Sequence, residues 1–581
     1  MKKFILFLIF FIWTLIHIYF LQINQVLKVA DSFAYLQMSN YFNNFSLSWF
    51  WNWWFGFLYS FFIAIFDFFI KNNFLSAQIL NIILFNFSWF LVYKIAKDYL
   101  KQSYLYILLI LFFLSPILLH FNIAILSENI YLPLFLLLVL WLKNFIFEPR
   151  ISDWIALAFL IALMYFTRWE AFIYLWAIWL ISLILTFSKK ISFKKFLWFN
   201  IILILFFGIF VSPYVYYLHS FTWEWGLSDK WSSNLRQAIM RWKEQMDDSW
   251  FEKAVGELTP DSKHLMAGFA WWLKYEKPYQ EISLKDYILK DKKLFFDNWL
   301  ENQKKLYSNN ILNIIDSNVR TLYFNVDSSL FYQNNLFLFL LFLPIILFFN
   351  GIYYLYKNKK TDILIIFFSF FIIASIFFTL FFVLNRYFII FIPLFLIIII
   401  YWIQNLDKTF SFSWTWFTKK SIDSSKISGH RILKFFMILN FIWLYLLWLL
   451  SYYNTFKDSD EKYKIKKIAG QWLKNNSKHY INKDNFKINI LERFPIVTYY
   501  SKTNNRFITP YTDSLTKLLI YAKYNKIDYL VVDSLDFEKY RPQLDFLLYE
   551  NKQFDWLEKI KVFSRIFDKK IQKVIIYKIK K

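Results

Sequence analysis

Four short stretches in or beside the long apolar runs of the chain carry ionisable groups that could act together. Asp31 and Tyr35 lie in Asp31-Ser32-Phe33-Ala34-Tyr35-Leu36, and Glu128 follows Ser127. Arg168 and Glu170 share Thr167-Arg168-Trp169-Glu170, and Arg386 and Tyr387 share Asn385-Arg386-Tyr387. Ionisable residues in or beside membrane segments are costly enough to be functional candidates by default. Any one of them alone can simply snorkel to the interface. Two acids and two arginines on one face say more. Transfer from a lipid phosphate needs a base to deprotonate the incoming hydroxyl and cations to stabilise the leaving phosphate. Arginine suits the second role because its planar fork matches phosphate oxygens.

The elements that must position these groups are membrane helices. The chain has 581 residues, 58% of them hydrophobic, and apolar runs of 18 or more recur along it, which defines a polytopic membrane protein and excludes a soluble one. The runs predict about eleven spans, at 4–23, 74–95, 104–120, 124–142, 152–167, 170–187, 196–217, 336–356, 362–384, 387–403 and 432–453. Basic clusters such as Lys94, Lys97 and Lys101, Lys143 and Arg150, and Lys189, Lys190, Lys194 and Lys195 fall on alternate sides in order. They place the N-terminus in the cytoplasm. An odd number of spans then puts the C-terminal domain and all four polar stretches outside. The first run reads as a retained anchor, because Lys28-Val29-Ala30 is a poor cleavage site. Trp49–Ile70 would reverse every later loop if it spanned, so it is expected as an interfacial helix pair on the outer surface.

The soluble parts are an outward loop over about 219–335 and the segment after 456, where short apolar runs alternate with helix-like stretches as in a small α/β domain. The expected domains are therefore 1–456, with outward loops at 24–73 and 219–335, and an extracytoplasmic domain at 457–581. The whole chain carries a formal charge of +25, and residues 457–581 hold 27 basic against 15 acidic residues. Beside a membrane, such a surface favours anionic lipid head groups or an anionic acceptor, and no nucleic-acid fold signature accompanies it.

Cysteine is absent, which excludes disulfides and thiolate metal sites. The 8 glycines are scattered, so no Gly-rich phosphate loop can form. No His-Glu-x-x-His occurs. His120, near Glu128, is a candidate to assist a divalent metal or a hydroxyl, and a metal requirement stays open. The 27 Trp against 8 Gly invert ordinary usage. An AT-rich genome would suppress both residues, so we hypothesise that some Trp positions are glycines encoded by UGA. Mass spectrometry of native peptides covering Ser48 to Trp54 reads this directly, and Trp at every position would exclude it.

At this point the chain resembles a family. Asp31 to Leu36 after the first helix, Ser127-Glu128-Asn129-Ile130-Tyr131-Leu132-Pro133-Leu134, Thr167 to Ala171, and Arg386-Tyr387-Phe388-Ile389-Ile390-Phe391-Ile392-Pro393 are similar, in that order, to the GT-C membrane glycosyltransferases. The branch is that of the protein O-mannosyltransferases and lipid A aminoarabinose transferases. The C-terminal part, with Lys467-Ile468-Ala469-Gly470-Gln471-Trp472-Leu473, is similar to tails on bacterial members. The resemblance implies a GT-C fold, a polyprenyl-phosphate-linked sugar donor and inverting transfer to a lipid, glycan or protein acceptor at the outer face of the cytoplasmic membrane. It implies Asp31 as general base, Glu128 as a second catalytic acid, and Arg168 and Arg386 on the donor phosphate, supported by Tyr35, Tyr387, Glu170 and His120. One departure is that Asp31 is followed by Ser32, where O-mannosyltransferases usually carry an Asp-Glu pair. The alternative reading is a transporter or flippase of lipid-linked glycans, or an inactive scaffold. Against transport, the polar candidates sit at one surface rather than near the midplane, and no internal repeat is evident.

Overall fold

The computed structural model describes residues 2–23, 30–45, 55–222, 225–227, 292–305, 347–379, 387–417, 461–476, 488–503, 505–509, 515–535, 537, 542–549, 554–567 and 570–580. They fall into two compact units. One comprises Met1–Gln22, Phe42–Leu227 and Trp299–Thr455, and the other Ile23–Tyr41, Ser228–Asn298 and Phe456–Lys581.

The described residues of the first unit form helices and short turns, with no strand among them. Among the described residues, six helices are long and apolar enough to cross a membrane: Asn73–Ala96, Glu128–Phe147, Trp169–Phe187, Phe193–Ser220, Thr361–Thr379 and Ile389–Leu406. Leu6–Tyr19, Leu58–Ile70, Gln102–Leu114 and Ile151–Thr167 are shorter apolar helices. The chain is a multi-pass membrane protein. The expected span at 432–453 and residues 336–346 of another lie outside the described residues.

Two expected helices differ in form. The run at 104–120 is broken at Ser115, whose extended backbone ends Gln102–Leu114, and Pro116 opens a new helix, Pro116–Ile123. Proline lacks the N–H that would continue the first helix and forces the residue before it out of the α region. The run at 170–187 starts as a 3-10 turn, Trp169–Ile173, before the α-helix Tyr174–Phe187. Helix Glu128–Phe147 is the most enclosed element, buried from Glu128 to Leu136 without interruption. It packs against Asn73–Ala96, Ile151–Thr167 and Thr361–Thr379, so it reads as apolar on all sides. Its far end holds a second polar cluster. Buried Lys143 pairs with Asp98 and lies 5.0 Å from the centre of the Tyr99 ring, while the Tyr99 hydroxyl bonds to Asp362. Lys143 thus marks a loop in sequence yet is enclosed in the fold. Among the described residues, the indole N–H groups of Trp13, Trp89, Trp154 and Trp402 are buried with no hydrogen-bond acceptor.

The described C-terminal part of the second unit is an α/β domain. Strands β1 (Asn489–Glu492), β2 (Asn505–Ile508), β3 (Tyr529–Asp533), β4 (Leu557–Phe567) and β5 (Lys570–Ile579) form one sheet in the order β2-β1-β3-β5-β4. The first three are parallel, and β5 joins β3 and β4 antiparallel. Helix 461–476 packs on one face through Ile465, Ala469 and Leu473, against Ile490, Val531 and Ile576. The other face meets helix Leu515–Tyr524 through Leu518 and Ala522. β3 is buried at every residue, as a central strand covered on both faces must be.

Candidate functional site

Four of the residues singled out in the sequence, Glu128, Arg168, Glu170 and Tyr387, meet in the first unit. Arg168 ends helix Ile151–Thr167 with an extended backbone, and one of its terminal nitrogens contacts Glu128 Oε1 at 2.5 Å. The other approaches Glu170 Oε1 at 3.4 Å. Glu128 sits in the first turn of its helix, where a carboxylate is favoured by the unpaired N–H groups. Glu170 comes from the 3-10 turn that follows Arg168. All three side chains are less than a tenth exposed. The guanidinium also lies over the Tyr387 ring, 4.9 Å from its centre, and faces Tyr131 at 5.9 Å. Tyr387 is stacked on Phe378, with centroids 4.3 Å apart. Arg168 is therefore held by two carboxylates and an aromatic face, each met by a different edge or face of its planar fork.

The loop before Glu128 is fixed by asparagines that sequence reading passed over. Asn129 donates to the carbonyls of Phe121, Ala124 and Leu126 at 2.8–3.1 Å. Asn81 donates to Asn122 and Ala124 carbonyls and accepts the Tyr59 hydroxyl at 2.6 Å. Asn122 returns a bond to the Asn81 carbonyl at 2.9 Å. Carbonyls that no helix satisfies are thus paired. The one signal in the sequence was polar residues inside apolar runs.

The other candidates are placed as follows. Asp31 is half-buried in the first turn of helix Ala30–Asn43, in the stretch up to Tyr41 that belongs to the second unit. Tyr35 is buried one turn further along the same helix. His120 is exposed in the last turn of Pro116–Ile123, with its ring edge-on to Phe121 at 5.3 Å. Arg386 lies outside the described residues. Among the described residues, no group of three or more His, Asp or Glu is placed to hold a metal ion.

The fold and the membrane helices define a class: the chain has the fold of the GT-C glycosyltransferases. It is similar to the oligosaccharyltransferase of Archaeoglobus fulgidus in complex with zinc and sulfate, with a TM-score of 0.53 at 11% identity over 92% of this chain and 69% of that one. The same A. fulgidus protein, AglB, in complex with an inhibitory peptide and a dolichol-phosphate, superposes with a TM-score of 0.48 at 11% identity, covering 92% and 70%. ArnT from Cupriavidus metallidurans bound to undecaprenyl phosphate does so at 0.47 and 9% identity, covering 98% of this chain and 97% of that one. Neither a protein-family model nor a curated protein matches the chain.

Proposed function

We propose that the protein is an inverting glycosyltransferase that moves a sugar from a polyprenyl-phosphate-linked donor to a lipid, glycan or protein hydroxyl at the outer face of the cytoplasmic membrane. Its N-terminus is cytoplasmic and its C-terminal domain extracytoplasmic. The observation that carries the reading is the likeness to a glycosyltransferase over 92% of the chain, joined to an acid in the first loop. Fold alone leaves chemistry open, so the roles rest on the residues.

Asp31 takes the proton of the acceptor hydroxyl as its oxygen bonds to the anomeric carbon. The bond from that carbon to the phosphate oxygen breaks, and polyprenyl phosphate leaves with the electron pair. Attack opposite the leaving group inverts the centre. Arg386 and Arg168 contact the donor phosphate. Arg168 is oriented for this in advance by Glu128, Glu170 and Tyr387, and Glu128 is the second acid of the site. Preorganised cations of this kind act where charge develops, without reorganising during the reaction.

The test is transfer of radiolabel from undecaprenyl-phosphate mannose and undecaprenyl-phosphate aminoarabinose into native membrane extract, by wild type and Asp31→Asn. Loss of a general base lowers rates by about 10²–10⁴-fold, so the variant is expected to fall at least that far. A well-expressed Asp31→Asn protein with full activity would remove Asp31 from this role.

A further inference from the structure

We infer that the C-terminal α/β domain sets the position of the first-loop aspartate, with Tyr499 as a positioning residue that acts on Asp31 through Phe33. The inference rests on the reading of Asp31 as general base. Phe33 lies two residues from Asp31 in helix Ala30–Asn43 and is 4% exposed. Its ring meets that of Tyr499 edge-on, with centroids 6.3 Å apart and planes at 81°, a favourable aromatic geometry. Residues 32–36, 38 and 39 of the helix are buried, so both of its faces are enclosed over the turns that carry Asp31.

Tyr499 itself sits on a helix of only five residues, Ile496–Tyr500, which is too short to be stable alone. The domain holds it from two sides. Glu492, the last residue of β1, accepts the N–H of Val497 at 3.1 Å and of Thr498 at 2.7 Å. From the other side, Gly470 of helix 461–476 presses against the segment. A Cβ at 470 would stand 2.7 Å from both Tyr500 Cβ and the Val497 carbonyl oxygen, closer than real Cβ atoms approach, so only glycine fits. The Tyr500 ring then meets Tyr499 edge-on at 5.1 Å, and the Lys467 ammonium lies 5.6 Å from the centre of Tyr500. A continuous set of contacts therefore runs from the sheet through Glu492 and Tyr499 to Phe33, two residues from the reacting carboxylate. The Lys-Ile-Ala-Gly-Gln-Trp-Leu motif finds its reason here, in the close approach at Gly470.

The consequence is kinetic. A general base must stand within hydrogen-bond reach of the proton it takes, and a displacement of about 1 Å from remote changes can cost about 100-fold. Tyr499 is expected to govern turnover and leave donor binding alone.

The test uses the full-length protein in detergent, with the same two undecaprenyl-phosphate donors and native membrane extract, comparing wild type, Tyr499→Ala, Tyr499→Phe and Asp31→Asn. Hydrogen exchange of the 30–43 peptide supplies a readout independent of turnover. Tyr499→Ala is expected to raise exchange in that peptide and lower kcat by roughly tenfold or more with KM for donor unchanged, and Tyr499→Phe is expected to restore both, because the ring makes the contact. Gly470→Ala should act in the same direction. Unchanged exchange in Tyr499→Ala, or raised exchange with full turnover in a protein that Asp31→Asn inactivates, would overturn the positioning role. Full activity in Asp31→Asn would instead overturn the reading of Asp31, whatever Tyr499 does.

Discussion

Among the described residues, each unit buries a cation beside two carboxylates, and the two clusters are built on different principles. In the membrane unit, Arg168 divides its fork between Glu128 and Glu170 and rests on Tyr387. In the C-terminal domain, Lys466 makes a 3.0 Å bond to Asp533, with both side chains at most 1% exposed, and its charge also acts on Glu492. Glu492 also accepts the backbone N–H groups of Val497 and Thr498. Burial nevertheless pushes its carboxyl up to about 7, against the neighbouring Lys466 charge and the bonds from Thr498 and Val497. The guanidinium cluster specifies an orientation; the ammonium cluster ties the ends of β1 and β3 to helix 461–476. Desolvation makes such buried pairs weak sources of net stability, while removing one partner strands a charge. The first difference to expect is therefore between function and stability.

The largest effect should come from Lys466→Met, which leaves Asp533 buried without its cation. A loss of about 3–5 kcal/mol is expected, read as a lower midpoint in denaturant unfolding of the full-length protein. A loss under about 1 kcal/mol, the range of an exposed pair, would break the contrast by showing this cluster to be solvated. Next is the pH dependence of the same domain. The folded-state value for Glu492 lies near 7 against an ordinary 4.5, so between those values the unfolded chain gives up its proton first. Stability from this group is complete below pH 4.5 and declines until about pH 7. A gap of that size is worth roughly 3 kcal/mol. Glu492→Gln should flatten the unfolding midpoint between pH 4.5 and 8 relative to wild type, and an unaltered slope would assign the effect elsewhere. The smallest change is Arg168→Lys. It keeps the charge but loses the fork, so one of the two carboxylates goes unmatched. Sugar transfer should fall about tenfold, the equivalent of 1.4 kcal/mol, with an unfolding midpoint lowered less than by Lys466→Met. If Arg168→Lys instead lowers stability as much as Lys466→Met, the two clusters do the same work.

The candidate site was partly legible because costly residues stand out in an apolar chain. Glu128 and Arg168 were matched by topology alone, 40 positions apart, and they pair in space. Their role as mutual partners was hidden, since alternating loops say which side a residue faces and nothing about its contacts. The asparagine network was hidden for a related reason. Asn81 bonds to backbone carbonyls 41 and 43 residues away, and every backbone has carbonyls, so no residue type flags them. Among the strands, β1, β3 and β5 showed as short apolar runs, whereas β2 and β4 did not. β4 mixes Glu558, Lys559, Lys561 and Arg565 with apolar residues and is half-buried or exposed at every position after Leu557, as a charged edge strand is.

Hydropathy by itself determined that this chain crosses a membrane many times, because about twenty apolar residues in succession have no better solvent than lipid. The change from long apolar runs to short ones after 456 likewise announced strands and helices there, where the structure has a mixed sheet. The break at Ser115-Pro116 was written in the proline and masked in the sequence by the apolar run around it. Only the tertiary structure decided that Arg168 is shared by two carboxylates, that Asp31 belongs to the same compact unit as the C-terminal sheet, and that Phe33 rests on Tyr499 across 466 positions of sequence. Such contacts depend on which surfaces meet when all the helices and strands pack at once, and no local pattern of residue types encodes that choice.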